Sequence, residues 1–217
     1  LARKIPQADA SVKSGQWERF LGLGLPGKIM GIIGLGRVGQ NVARRAKGFD
    51  MQILAYDPYL PEEISRKLGI TQTDFDTLLR KSDVISLHAP LTPETEGLIG
   101  ERELSLMKEG VLIVNTSRGK IIQEKALYQA LTSGKVAGYA TDVFEVEPPL
   151  GSPLLKLSNV LATPHIGSYT RDGLRMMGDL VVDSILKVFR GEKPEFIINP
   201  EAYRYRSLVR KANPDPP

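Results

Sequence analysis

The sequence of 217 residues contains no cysteine and only two histidines, His88 and His165. Without cysteine the protein has no disulfide and no thiolate metal site, and its folding does not depend on an oxidising compartment. The two histidines lie far apart in the sequence and fit no metal-ligand spacing such as HExxH. The sequence therefore predicts a protein without a metal site.

Long apolar runs are also missing. The longest run, 29–35, is interrupted by glycine and is far too short to span a bilayer, and the first twenty residues lack the apolar core of a signal peptide. We therefore expect a cytoplasmic protein with no membrane partner. The chain begins with leucine rather than methionine, which suggests that it does not begin at the natural start of a gene product.

A basic face is lacking as well. The acid-free segment 203–211 holds four basic residues, and these account for the whole formal net charge of +4. A nucleic-acid interface requires a basic surface on the fold itself. The basic tail with its interleaved tyrosines is the only hint of such a surface, and a solvated terminus explains it more simply. We expect no nucleic-acid partner.

What the sequence does contain is a regular alternation of short apolar runs and amphipathic stretches, with 41% hydrophobic residues in all. The spacing of apolar residues in 1–13 is helical. The later alternation predicts strands near 28–33, 51–55, 84–88, 111–114, 137–141 and 160–162, and helices near 37–47, 61–68, 74–80, 101–107, 123–133 and 170–190.

Strands that are apolar throughout, such as 111–114, are typical of a parallel sheet covered on both faces. Six such strands with intervening helices predict a Rossmann-like, doubly wound α/β domain over 1–195. Ligands of this architecture bind beyond the carboxyl ends of the strands. The remainder, 196–217, is predicted to be a C-terminal segment with a disordered end at 213–217.

A glycine-rich turn follows the first predicted strand. Gly34, Gly36 and Gly39 have the GxGxxG spacing and open a predicted helix, which is the context that makes this motif informative. Gly34 permits the tight turn, Gly36 admits a pyrophosphate close to the backbone, and Gly39 lets the helix pack on the strand. The pattern predicts a dinucleotide site at the helix N-terminus.

An acid follows the second predicted strand. Asp57 can accept hydrogen bonds from both ribose hydroxyls of an adenosine and would repel a 2′-phosphate, so the sequence favours NAD over NADP. The alternative is that Asp57 is simply a turn residue before Pro58.

Three further strand ends carry Arg118, Glu147 and His165. Arg118 can bind a substrate carboxylate through two hydrogen bonds. His165 can exchange a proton with the substrate oxygen, and Glu147 can orient and charge the imidazole. Together these groups suit the interconversion of a 2-oxo acid and a 2-hydroxy acid.

Arg118 and Glu147 also have ordinary structural interpretations. Arg118 could be a surface residue at a helix start, and Glu147 could be a loop carboxylate. The other histidine, His88, is expected to line the cofactor crevice through its backbone, with no catalytic role for its ring.

With these motifs in view, the sequence resembles the NAD-binding half of the D-2-hydroxyacid dehydrogenase family. The resemblance covers about 1–200, and six motifs match in order and spacing: GLGRVG, AYDPY, HAPLTPET, NTSRG, ATDVFEVEPP and TPHIGS.

The resemblance implies a role for each matching residue. Arg118 would bind the substrate, His165 would be the acid–base group, and Glu147 rather than Glu145 would be its paired acid. The cofactor residues would be Gly34, Gly36, Arg37, Val38, Gly39, Asp57, Ala89, Thr116, Ser117, Arg118, Asp142, His165, Gly167 and Ser168, with Arg37 and Val38 at the pyrophosphate and Asp142 at the nicotinamide carboxamide.

The resemblance also implies a homodimer, a small 2-oxo or 2-hydroxy acid substrate, and a substrate domain whose N-terminal part precedes Leu1 and is not in this sequence. Three hypotheses remain open at this point. The chain represents a dehydrogenase, an isolated NAD-binding module without turnover, or an NAD-regulated interaction module similar to the family's corepressors. Retention of all three chemical residues favours the first, and AYDPY leans towards a phosphoglycerate-type substrate.

Overall fold

A computed structural model describes residues 1–201 and shows one parallel sheet with helices on both faces. The basic segment 203–211 and the disorder predicted for 213–217 lie outside the described residues. Contacts divide the chain into a unit from Leu1 to Gly167, which contains the sheet, and a unit that starts at Ser168 and contains the last helix.

The described residues form seven strands in the order β3-β2-β1-β4-β5-β6-β7, all parallel. The strands are β1 Ile29–Ile33, β2 Gln52–Tyr56, β3 Thr71–Gln72, β4 Val84–Leu87, β5 Val111–Asn115, β6 Val136–Thr141 and β7 Val160–Ala162. The helices are α1 Ile5–Lys13, α2 Arg37–Lys47, α3 Glu62–Lys67, α4 Phe75–Lys81, α5 Glu101–Leu106, α6 Glu124–Thr132 and α7 Arg171–Phe189.

This architecture confirms the predicted Rossmann-like fold, with one correction to the number of strands. The sequence predicts six strands, whereas the structure adds β3, a strand of two residues at the sheet edge. Such a strand is too short to show any periodicity. The connection from β6 to β7 also differs from the others, because it contains only a 3-10 helix, Pro153–Lys156.

Burial on both faces explains the apolar strands. All four residues of β4 are buried. Neighbouring residues of β1 pack into different cores, Ile33 with Leu79 and Ile85 on one face and Ile32 with Ala43 on the other. Because successive side chains of a strand point to opposite faces, a sheet that is covered on both sides requires apolar residues at successive positions.

The core that contains Ile33 also contains buried leucines of α4. Leu79 is fully buried, so Leu79→Ala should lower the free energy of unfolding by about 2–5 kcal/mol through lost burial and an unfilled cavity. Leu150 is 88% exposed, and Leu150→Ala should change stability by less than about 0.5 kcal/mol. Urea unfolding followed by circular dichroism measures both variants, and equal midpoints would contradict this assignment of the core.

Candidate functional site

The carboxyl ends of the central strands lie level along one edge of the sheet. In register, Ile33 of β1 pairs with Tyr56 of β2 and with Leu87 of β4. Leu87 pairs with Asn115 of β5, and that residue with Thr141 of β6. The loops that follow these strands, which carry the motifs identified from the sequence, therefore start side by side.

The turn after β1 has no room for side chains at two of its glycines. Gly34 has a φ of +89°, and a Cβ there would lie 2.6 Å from the backbone nitrogen of Ala89, at the end of β4. A Cβ on Gly39 would lie 2.2 Å from the carbonyl oxygen of Gly34. The backbone thus turns sharply between β1 and β4 and enters α2 directly.

The third glycine, Gly36, faces open space, with no described atom within 4 Å of the position of an added Cβ. Gly36 is the N-cap of α2 and provides no side-chain cap, and the first turn of α2 contains no acid. The first residues of the helix, Arg37 and Val38, are exposed. Unpaired N–H groups and the positive end of the helix dipole at this point favour an anion.

Asp57 follows β2 and faces the same turn. Its Oδ2 accepts a hydrogen bond of 2.8 Å from the Leu35 N–H, and its Oδ1 accepts one of 3.0 Å from the Tyr59 N–H. The second bond is the Asx turn that the ordinary interpretation expects, and the first connects the acid to the glycine turn. A cleft of about 490 Å³ opens here, lined by residues that include Gly34, Asp57, Tyr59, Ala89, Thr92 and Leu98.

The loop after β5 is shaped by a buried asparagine. Asn115 is fully buried; its Oδ1 accepts from the Ser117 N–H at 3.0 Å, and its Nδ2 donates to the Arg118 carbonyl at 2.9 Å. The Ser117 hydroxyl donates to the Ala89 carbonyl and so connects this loop to the end of β4. Thr116 and Arg118 are exposed, and Arg118 Nη1 donates to the Ser117 carbonyl at 2.7 Å.

His165 and Glu147 form a direct pair. The Nδ1 of the imidazole lies 2.8 Å from Glu147 Oε2, and Oε1 of the same carboxylate accepts from the Phe144 N–H at 3.0 Å. The His165 hydrogen bond is the main cause that lowers the pKa of Glu147, followed by the Phe144 bond and, more weakly, the charges of His165 and Arg118. Glu145 does not share this pairing, since its carboxylate accepts from the Glu124 N–H at the start of α6.

A second buried polar side chain, Asp142, holds the loop of His165. Its carboxylate accepts from the Thr163 hydroxyl at 2.6 Å, the Ile166 N–H at 2.8 Å and the Gly167 N–H at 2.7 Å. Burial raises the pKa of Asp142, but these three bonds and the charge of His165 lower it by more. His165 itself has a φ of +54°, which non-glycine residues seldom adopt.

His88 lies in a different environment. Its Nε2 is 2.9 Å from the buried Ser86 hydroxyl, and burial lowers the pKa of its imidazole to about 4. Its N–H donates to the Ile33 carbonyl at 2.7 Å. The ring is therefore neutral at physiological pH.

The structure thus gathers the predicted residues into two groups. Gly34, Gly39, Asp57 and Ala89 meet around the glycine turn, whereas Glu147, His165, Asp142 and Gly167 meet at the ends of β6 and β7. Ser117 bonds to Ala89 and so connects the Arg118 loop to the first group. Ser168, the first residue of the second unit, is exposed, and its carbonyl accepts from the Thr170 N–H at 2.9 Å. An apolar cavity of about 400 Å³ adjoins Glu147 and His165, with Phe144, Pro148, Leu155 and Pro164 among its walls.

Sequence reasoning missed Asn115 and Thr163. The signal for Asn115 was available, because an asparagine followed by Thr-Ser at a strand end favours an Asx turn. Thr163 offered no such signal, since its role depends on a carboxylate from another strand end.

Comparison with known proteins now identifies the family. Residues 1–167 match the family described as D-isomer specific 2-hydroxyacid dehydrogenase, NAD binding domain. The chain belongs to this family. It is 49% identical to D-3-phosphoglycerate dehydrogenase of Methanocaldococcus jannaschii over 91% of the chain and 38% of that protein. It is 46% identical to glyoxylate reductase of Thermococcus litoralis over 92% of the chain and 63% of that protein.

Solved structures agree with this membership. The D-lactate dehydrogenase of Aquifex aeolicus, solved with NAD and lactic acid, superposes with a TM-score of 0.81 at 34% identity, over 88% of the chain and 63% of that protein. The chain therefore spans between about two fifths and just under two thirds of these family members. In the described part, no helix is long and apolar enough to cross a membrane, and no cluster of His, Asp and Glu could hold a metal ion.

The hydrogen bond between Glu147 and His165 predicts how the pKa of Glu147 should respond to a substitution. Because its pKa is lowered from the ordinary 4.5, the pair stabilises the folded state fully above pH 4.5, and this contribution is lost as the pH falls through the lower folded value. His165→Ala should raise the pKa of Glu147 towards 4.5, because it removes both the hydrogen bond and the charge of the imidazole. Carbon-13 NMR of the glutamate side chains measures this pKa, and Glu103, whose own lowered pKa comes from Arg102 and backbone bonds, serves as the internal control. An unchanged Glu147 titration would contradict the pairing.

Proposed function

We propose that the chain is the cofactor-binding part of an NAD-dependent oxidoreductase that interconverts small 2-oxo acids and D-2-hydroxy acids. The observation that carries this proposal is the 2.8 Å contact between His165 Nδ1 and Glu147, at the same sheet edge as the Gly34 turn. An NAD-binding module without chemistry would need the glycine turn but not a paired histidine and acid.

The residues around the glycine turn fit a dinucleotide. The open space over Gly36 and the uncapped start of α2 suit a pyrophosphate, with Arg37 and Val38 beside it. Asp57 would accept the hydroxyls of the adenosine ribose, and the cleft of about 490 Å³ next to it would take the adenosine. We infer that Thr116, Ser117, Gly167 and Ser168 line the nicotinamide end.

Bound NADH would supply the hydride for the carbonyl carbon of the substrate. Arg118 would bind the substrate carboxylate and polarise the neighbouring carbonyl. Because Glu147 occupies Nδ1 of His165, the Nε2 atom remains to donate a proton to the carbonyl oxygen, or to accept it in the reverse direction. Asp142 retains acceptor capacity beyond its three loop bonds, and we infer that it also meets the nicotinamide carboxamide.

The substrate is proposed to be a small 2-oxo or 2-hydroxy acid, since the relatives include enzymes named for phosphoglycerate and glyoxylate. The AYDPY motif leans towards a phosphoglycerate-type acid. We also infer a cytoplasmic homodimer. Exposed apolar side chains on α1 and the segment after it support a protein contact there, namely Ile5, Val12, Trp17 and Leu21.

Cofactor choice provides one test. Asp57→Ala should weaken NADH binding about tenfold, because it removes a charged acceptor from the ribose, and it should narrow the preference for NADH over NADPH. Fluorescence titration with each cofactor measures both effects. The control is Glu109→Ala, which removes an exposed acid that pairs with Lys135 at 2.8 Å. If NADH does not bind to the unmodified chain, the proposal fails.

Turnover provides a second test. NADH consumption with glyoxylate, hydroxypyruvate and 3-phosphohydroxypyruvate, followed by absorbance, should fall at least about a hundredfold in His165→Ala, because general acid–base catalysis contributes that much. NADH affinity should change by less than about threefold, since the ring is assigned to the proton rather than to the cofactor. Binding without turnover in the unmodified chain would favour the isolated module, and a large loss of NADH affinity in His165→Ala would assign the ring to the cofactor.

A further inference from the structure

The loop after β6 presents two carboxylates of which only one meets His165. Glu145 and Glu147 flank Val146, and both are exposed. Glu147 Oε2 pairs with the imidazole, whereas Glu145 Oε1 accepts from the backbone N–H of Glu124 at 3.0 Å. Glu145 therefore bonds to the start of α6, whereas Glu147 bonds to the His165 imidazole.

The helix that Glu145 reaches lacks a cap of its own. The N-cap of α6 is Gln123, whose side chain makes no capping bond and instead donates from Nε2 to the Gly97 carbonyl at 3.3 Å. The first amides of a helix have no partner within the helix, and a negative charge near them is stabilising. Glu145 provides both the acceptor and the charge from a distant loop.

The far end of the same loop is fastened to the same helix start. The Ser152 hydroxyl donates to Glu124 Oε1 at 2.9 Å. Glu124 is thus hydrogen-bonded to this loop at two points. Its backbone N–H bonds to Glu145, and its carboxylate bonds to Ser152. The segment 145–152 is held at both ends, with Glu147 between them.

Movement at Glu145 would be transmitted directly to Glu147. The residue before Glu145, Phe144, donates its N–H to Glu147 Oε1. On its other side the Phe144 peptide presses against Gly119, where an added Cβ would lie 1.9 Å from the Phe144 carbonyl carbon. The loop of Glu147 and the loop of Arg118 therefore abut at this peptide.

We propose that Glu145 is a positioning residue: its bond to the first amide of α6 fixes the loop so that Glu147 meets His165. The inference rests on the proposed function for the importance of that meeting, but its structural content is independent of turnover. The groups that lower the pKa of Glu147 are the His165 imidazole, the Phe144 N–H and the charge of Arg118, whereas Glu145 bonds to the Glu124 N–H.

The test compares Glu145→Ala, Glu145→Gln and the control Glu109→Ala in the full chain. Glu109 is a surface acid that pairs with Lys135 at 2.8 Å, away from this loop. In Glu145→Ala the pKa of Glu147 should rise towards 4.5, and exchange of the Phe144 amide should accelerate about tenfold, as expected for loss of one hydrogen bond. Carbon-13 NMR titration and hydrogen exchange measure these two effects.

Glu145→Gln should keep both properties close to those of the unmodified chain, because the amide oxygen can still accept the Glu124 N–H. Effects in Glu145→Ala that are absent from Glu145→Gln and from Glu109→Ala support the proposal. An unchanged Glu147 titration in Glu145→Ala, or equal shifts in the alanine and glutamine variants, would overturn it. Since no step of this test requires NADH, a chain that does not bind NADH but shows the expected shifts would refute the proposed function and leave this inference standing.

Discussion

The candidate site depends on two buried polar side chains that must find partners. Asn115 at the end of β5 is fully buried, and Asp142 just beyond β6 is 6% exposed. A buried amide or carboxylate without hydrogen bonds is costly. Both are satisfied by the loops that follow nearby strands, Asn115 by Ser117 and Arg118 and Asp142 by Thr163, Ile166 and Gly167. The need to satisfy these groups therefore shapes the loops that carry Arg118 and His165.

Close backbone approach is the second constraint on the site. Gly34 lies against the end of β4 and Gly119 against the Phe144 peptide, and neither position has room for a Cβ. A β-carbon at either place would push apart two neighbouring strand-end loops. The same residues that look like turn glycines in the sequence thus determine how near the loops can lie, and hence the spacing between the groups they carry.

Much of this was predictable from the sequence, for identifiable reasons. Long apolar strands such as β5 and the spacing of the glycine turn are local patterns, and they predicted the fold and its binding edge. The parallel arrangement then predicted which loops lie together. The strand β3 was missed because two residues carry no pattern, and Thr163 was missed because its partner, Asp142, comes from another strand end. That Glu147 rather than Glu145 pairs with His165 was expected only from the resemblance, because the sequence around the two acids does not distinguish them.

The two histidines differ in ways that support assigning the proposed chemistry to His165. His88 lies in a buried site beside Ser86. Because its pKa is lowered to about 4, its imidazole is uncharged at neutral pH. His165 is held by a carboxylate at Nδ1 and sits at a φ of +54° that its surroundings must maintain. The bonds from Asp142 to both flanks of His165 provide this support. A buried acid thus holds an uncommon backbone conformation at His165, which supports the proposal that the ring presents Nε2 in a fixed direction.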